Sequence, residues 1–126
     1  SVMLANLCQK IIVIENHENF IRLLKNNIKN LDIKNLKIVN SSFMKGCDEE
    51  APYDVIFIDN PIDEVSSIIN EQLSFESGKI LMIKITSESF CKGFKITKNN
   101  NNYTKEFLFN AFSKYRLHNK EEKFIF

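Results

Sequence analysis

Apolar residues in this chain come in short continuous runs, separated by stretches with helical spacing. The clearest run is Ile11-Ile12-Val13-Ile14, apolar at every position and followed at once by Glu15-Asn16-His17. Apolar side chains on both sides of the pleat suit a strand covered on both faces, as in a parallel sheet. Phe20, Leu23, Leu24, Ile28 and Leu31 then recur on one helical face, with Arg22, Lys25 and Lys29 opposite. Asn16 is the expected N-cap of that helix. Leu36–Asn40 reads as the next strand. Strand, helix and strand in this order form a βαβ unit with a right-handed crossover. Ahead of it, Val2, Leu4, Ala5, Leu7 and Cys8 read as the last turns of an apolar-faced helix, without an N-terminal cap.

The same alternation continues beyond Pro52. Residues 54–59 form an apolar run between Asp54 and Asp59, which predicts a second buried strand. Asn60-Pro61 suits a helix start, with Pro at the first position and Asp63 and Glu64 in the first turn. Val65, Ile68, Ile69 and Leu73 supply the buried stripe of that helix. Ser77-Gly78 closes the unit, and residues 79–85 form a further buried strand. The pattern then becomes strand-like on both sides of Asn99-Asn100-Asn101-Asn102, over Phe94-Lys95-Ile96-Thr97 and residues 103–109. Asparagine tolerates left-handed backbone, so this predicts an antiparallel hairpin. No domain boundary or internal repeat is visible, and residues 1–126 read as one domain.

Composition changes this picture little. The chain has 126 residues, 44% hydrophobic and 26% charged, which is ordinary for a globular protein with one core. The net charge of +1 conceals an acidic middle without Lys or Arg between Asp48 and Glu76, and a Lys-rich tail from Lys92 onward. Glu106, Glu121 and Glu122 interrupt that tail, so a solvated face is expected and no nucleic-acid partner. Cys8, Cys47 and Cys91 are widely spaced, and His17 and His118 lie far apart. That spacing supports neither a zinc site nor a disulfide framework, and reduced thiols in a cytoplasmic setting are the expectation. No stretch is long and apolar enough for a membrane span, and no membrane partner is expected.

Chemistry concentrates at the ends of the apolar runs. Glu15 stands where open α/β sheets bind ligands, beyond a strand's carboxyl end. A carboxylate there can accept hydrogen bonds from both hydroxyls of a nucleotide ribose. It can equally serve as an acidic residue at the N-terminus of the next helix. A nicotinamide-binding Rossmann domain would also use such an acid, but the closing antiparallel hairpin argues against one.

Several segments resemble the protein-L-isoaspartate O-methyltransferases, a family of class I S-adenosylmethionine-dependent enzymes. The resemblance is carried by Val13-Ile14-Glu15, Asn35-Leu36-Lys37-Ile38-Val39, Glu50-Ala51-Pro52-Tyr53-Asp54-Val55-Ile56, Glu71-Gln72-Leu73 and Gly78-Lys79-Ile80-Leu81. The order of elements agrees to the end of the chain, and the closing Phe124-Ile125-Phe126 is similar to alphaproteobacterial members. The resemblance implies an α/β fold: a Rossmann-like class I methyltransferase sheet, mainly parallel, with a C-terminal antiparallel hairpin. It implies S-adenosylmethionine as cofactor, held by Glu15 at the ribose and lined by Asn16 and His17 at the adenine. His17 is open to two readings, a ring stacked on the adenine or a surface histidine at a helix start. The substrates implied are the L-isoaspartyl carboxylates of damaged proteins and peptides, methylated as a step in repair.

The departures from that family carry expectations too. Its first strand, its G-x-G-x-G loop and its N-terminal substrate segment have no counterpart, because the chain starts after them. Residues 1–126 thus read as a partial S-adenosylmethionine-dependent methyltransferase domain, expected to bind the cofactor weakly or not at all by itself and to be inactive alone. Where the family shows Gly-Asp-Gly, this chain has Ser41-Ser42-Phe43. Ser42 keeps a hydrogen-bonding group at the adenine position but not a charged one. Asp59 follows the strand after that, near any bound cofactor; Asp59-Asn60-Pro61-Ile62 only loosely resembles the target-gripping signature of amino methyltransferases. No catalytic residue is nominated, since a carboxylate nucleophile needs no general base. A catalytically inactive methyltransferase-like module for binding or assembly is the alternative. The incomplete sheet leads to an expectation of homo-oligomers, which light scattering across a concentration series reads out.

Overall fold

The structure is a computed structural model, and it describes residues 2–113. The Lys-rich cluster at 120–123, His118 and the closing Phe124-Ile125-Phe126 lie outside the described residues. The described residues form two compact units, divided between Glu50 and Ala51.

The first unit is the βαβ unit anticipated from the apolar runs. Strand β1 (Ile11–Glu15) pairs in parallel with β2 (Leu36–Asn40), in register from Ile11 opposite Leu36 to Glu15 opposite Asn40. Helix α2 (Glu18–Asn30) connects them, after a single turn of helix, α1 (Val2–Ala5). Helix α1 is shorter than expected. Ala5 is buried, while Met3 and Leu7 are more than four-fifths exposed. The Asn35 side chain stops it by donating to the carbonyls of Ala5 (2.7 Å) and Cys8 (2.8 Å), groups that a helix end leaves without partners. The stripe of α2 is also rotated. Ile21, Leu24 and Ile28 are half-buried, whereas Phe20, Leu23 and Leu31 are exposed. Two apolar rows one residue apart share the helical period, and the spacing alone did not separate them.

The second unit holds most of the buried apolar side chains, among them Ile62, Ile69, Leu73, Ile80, Met82 and Cys91. Its four-stranded sheet has the order β3 (Val55–Phe57), β4 (Glu76–Ile85), β5 (Phe90–Asn99), β6 (Asn102–Phe112). Strand β3 runs parallel to β4, and β5 runs antiparallel to both β4 and β6. One strand therefore opposes three, which is the mainly parallel sheet with a closing antiparallel hairpin. The hairpin turns through Asn100 and Asn101, with Asn100 left-handed at φ 56°.

Three local expectations are corrected here. Strand β3 is three residues long, and Val55 and Phe57 are more than half exposed, so it is not buried on both faces. No helix starts at Asn60-Pro61. The Ile62 N–H donates to the Ile83 carbonyl and the Ile85 N–H to that of Ile62, which holds the segment along β4. The helix begins later, as α3 (Ser67–Glu71), because the Ser66 hydroxyl caps it by accepting from the Ile69 N–H at 3.3 Å. Ile69 and Leu73 are buried as expected, but Ile68 is exposed. Finally, β4 starts at Glu76, ahead of the predicted break. Ser77 forms a bulge at φ 62°, and the strand resumes at Gly78.

Gly78 is required by space. A Cβ there would lie 2.4 Å from the Ser74 carbonyl oxygen and 2.7 Å from Leu73 Cγ. At Gly93 the obstacle is instead the Phe109 ring, a side chain laid across the glycine. Gly78→Ala is therefore expected to lower stability by about 1–3 kcal/mol, because a backbone oxygen has to move. Gly93→Ala is expected to cost less, because Phe109 can rotate away. Urea unfolding of both variants checks this, and equal losses would contradict it.

Candidate functional site

Parallel pairing delivers Glu15 to the end of the β1–β2 ladder. Its backbone carbonyl accepts from the Ser41 N–H at 3.3 Å, so the residues following both strands meet at one edge. The chain then turns into α2 around the Glu15 side chain, whose Oε1 accepts from the N–H groups of Asn16 and His17, each at 3.0 Å. This use of the carboxylate moves the helix start by one residue. His17, not Asn16, is the N-cap, with extended backbone and no side-chain cap bond. Two amide donors thus fix the orientation of the carboxylate. Its other oxygen has no hydrogen-bond partner among the described residues. An acceptor held this way suits a pair of vicinal hydroxyls.

Beside it, the exposed His17 ring lies against Phe20, with centroids 4.8 Å apart and planes tilted by 42°. Phe20 is 55% exposed and was placed on the buried face by its spacing; as an aromatic residue in the first turn after Glu15, it belongs to this surface instead. Asn16 is exposed and adds no side-chain contact of its own.

Ser42 is half-buried just beyond β2. Its carbonyl accepts from the N–H groups of Lys45 and Gly46, both at 3.1 Å, and Gly46 is left-handed at φ 62°. The loop that carries Ser42 ends in a 3₁₀ turn at Asp48–Glu50, anchored by Glu50. The Glu50 carboxylate bridges Lys10, ahead of β1, and Lys37 on β2, the second at 3.1 Å. The hydrogen bonds from Lys10 and then Lys37 hold the Glu50 carboxyl below its ordinary value, and Glu50 raises the Lys37 ammonium in turn.

Asp59 belongs to the second unit, two residues beyond β3. The Ile58 N–H donates to the Leu81 carbonyl, and Asp59 Oδ1 accepts from the Asn60 side-chain amide at 3.3 Å. Asp59 is exposed. The structure thus joins Glu15, Asn16, His17 and Ser42 in one unit, with Asp59 in the other.

Among the described residues, no group of His, Cys, Asp or Glu is placed to hold a metal ion, and no helix is long and apolar enough to cross a membrane. Cys8, Cys47 and Cys91 form no disulfide among the described residues. The three glycines, Gly46, Gly78 and Gly93, are far apart, so none forms a G-x-G loop.

Comparison with known proteins gives a family and a fold. The family model described as protein-L-isoaspartate(D-aspartate) O-methyltransferase matches residues 1–112. A solved protein-L-isoaspartate O-methyltransferase is similar in fold, with a TM-score of 0.74 at 24% identity. The match covers 81% of this chain and 32% of that one, so the chain spans about a third of the solved structure's length. No curated protein matches.

The Glu50 bridge gives a pH dependence of known sign. A depressed carboxyl contributes stability that is present above its ordinary value and lost as pH falls through the depressed one. The raised Lys37 contributes stability present below its ordinary value and lost as pH rises through the raised one. The bridge is intact between these limits. NMR titration is expected to place the Glu50 midpoint below the ordinary carboxylate range, and Lys37→Gln is expected to move it upward. An unchanged midpoint in that variant would contradict the bridge.

Proposed function

Because the chain belongs to the protein-L-isoaspartate(D-aspartate) O-methyltransferase family, we propose that the protein takes part in methyl transfer from S-adenosylmethionine to L-isoaspartyl carboxylates of damaged proteins. The observation that carries this reading at the site is the Glu15 carboxylate, fixed through one oxygen by the Asn16 and His17 amides with the other open. The residues present fit the ribose end of the cofactor. Glu15 would accept from the hydroxyls, the exposed His17–Phe20 ring pair would border the adenine, and Ser42 is the further polar candidate in the same unit. Bound there, the cofactor supplies an electrophilic methyl group on a sulfonium.

What the protein has to do for such a transfer is mostly positional. A carboxylate nucleophile is already ionised at neutral pH, so no proton has to be removed from it. Rate then comes from holding donor and acceptor in line and excluding water. Glu15 serves by binding and orientation.

The test uses the whole protein. Labelled S-adenosylmethionine and an isoaspartyl peptide are supplied, with the ordinary aspartyl peptide as control. Label is expected to enter the isoaspartyl peptide as a base-labile ester, and Glu15→Ala is expected to raise KM for the cofactor about tenfold or more. Tight cofactor binding with no transfer to either peptide would overturn the enzymatic reading in favour of a binding module.

A further inference from the structure

In strands β4 to β6 the pleat sorts the charges of the Lys-rich segment by face. Cross-strand partners share a face, so the pairings Met82–Phe94–Phe107 and Ile80–Ile96–Lys105 define one side of the sheet. Lys84, Lys92, Lys98 and Lys105 all fall on that side. Glu106 falls on the other, where it pairs with Lys95 at 2.8 Å. The glutamate that breaks up the basic run in sequence is therefore absent from the face that carries the four lysines. None of those four has a carboxylate within ion-pair distance among the described residues.

The same face is aromatic. Tyr103 and Phe107 flank Lys105 along β6 and are about half exposed, and Phe90 and Phe112 are about two-thirds exposed. The rings meet edge to face across the strands, Phe94 with Phe107 at 6.2 Å and Phe90 with Phe112 at 6.3 Å. The Lys105 ammonium stands 3.9 Å above the Phe94 ring. Between Tyr103, Lys105 and Lys84 a cleft of about 270 Å³ opens over Met82 and Ile96, with Glu64 the one carboxylate on its rim.

We propose that this face binds single-stranded nucleic acid. Lys98 donates to the Asn70 carbonyl at 3.3 Å, which leaves Lys84, Lys92 and Lys105 as the cations to match a phosphate backbone, and the exposed rings offer stacking surfaces that accept any base. Tyr103 and Phe107 are about 13 Å apart along the strand, leaving room for a sugar–phosphate at Lys105 between two stacked bases. The cleft beside Lys84 accommodates one further base over its apolar floor. An acidic peptide would satisfy the lysines but make no use of the exposed ring surface of Tyr103, Phe107, Phe90 and Phe112, which is why the occupant assigned is a nucleic acid. The proposal does not depend on methyl transfer, and either can fail alone.

Fluorescence anisotropy of a labelled oligothymidylate and an oligouridylate with the whole 126-residue chain tests it. Binding that neutralises about three phosphates is expected to weaken about twentyfold between roughly 50 and 200 mM salt. Lys92→Glu combined with Lys105→Glu is expected to abolish binding, whereas Lys29→Glu with Lys34→Glu, the same charge change in the other unit, leaves it within about twofold. Phe107→Leu, which keeps the position apolar, is expected to weaken binding about fivefold or more through lost stacking. Three results would overturn the proposal: no binding at low salt, equal losses in the two charge-reversed pairs, or displacement by polyglutamate as effective as by unlabelled oligonucleotide.

Discussion

Parallel backbone pairing is the constraint from which the rest of this structure follows. In a parallel ladder both strands run to the same edge, so whatever residue follows the last pair is delivered there. Strand β1 ends at Glu15 opposite Asn40, and the amide of Ser41 closes onto the Glu15 carbonyl. Strand β3, parallel to β4, delivers Asp59 in the same way beyond Phe57 and Ile58. Since apolar side chains occupy the strands themselves, the first polar groups along each run arrive at the edge. Chemistry is thereby confined to a few residues after each strand.

Much of this was legible in the sequence. Four consecutive β-branched residues marked β1, and the boundaries of β1 and β2 coincide with those expected. The asparagine turn marked the hairpin, which gives the sheet its one opposing strand. The misses share a cause, in that a local signal was outweighed by a contact distant in sequence. Asn60-Pro61 has the composition of a helix start, but Ile62 pairs with β4 on both sides of its own peptide. Asn16 has the composition of an N-cap, but the Glu15 side chain occupies the amides at the turn. Phe20 keeps a helical period with the buried residues and yet faces outward beside His17. In the Lys-rich segment, net charge along the sequence concealed a separation of charge across the sheet, which only the strand period and register reveal.

At the candidate site the sequence indicated the residue but not its state. That Glu15 would end a strand followed from the pattern. That one of its oxygens is committed to two backbone amides, while the other stays open, follows only from the turn geometry. This difference matters for binding, because a carboxylate already held in place loses less conformational freedom when a ligand arrives.

The claim that Glu15 reads the ribose is open to one direct measurement. In the whole protein, calorimetry compares S-adenosylhomocysteine with its 2′,3′-dideoxy analogue, in the native sequence and in Glu15→Gln. If the carboxylate accepts from both hydroxyls, their removal weakens binding to the native protein by about tenfold or more, equivalent to about 1.4 kcal/mol. The same removal then costs the Glu15→Gln protein markedly less, because the two changes act on one contact. An equal penalty in both proteins would show that the ribose is held elsewhere, and would contradict the assignment of Glu15.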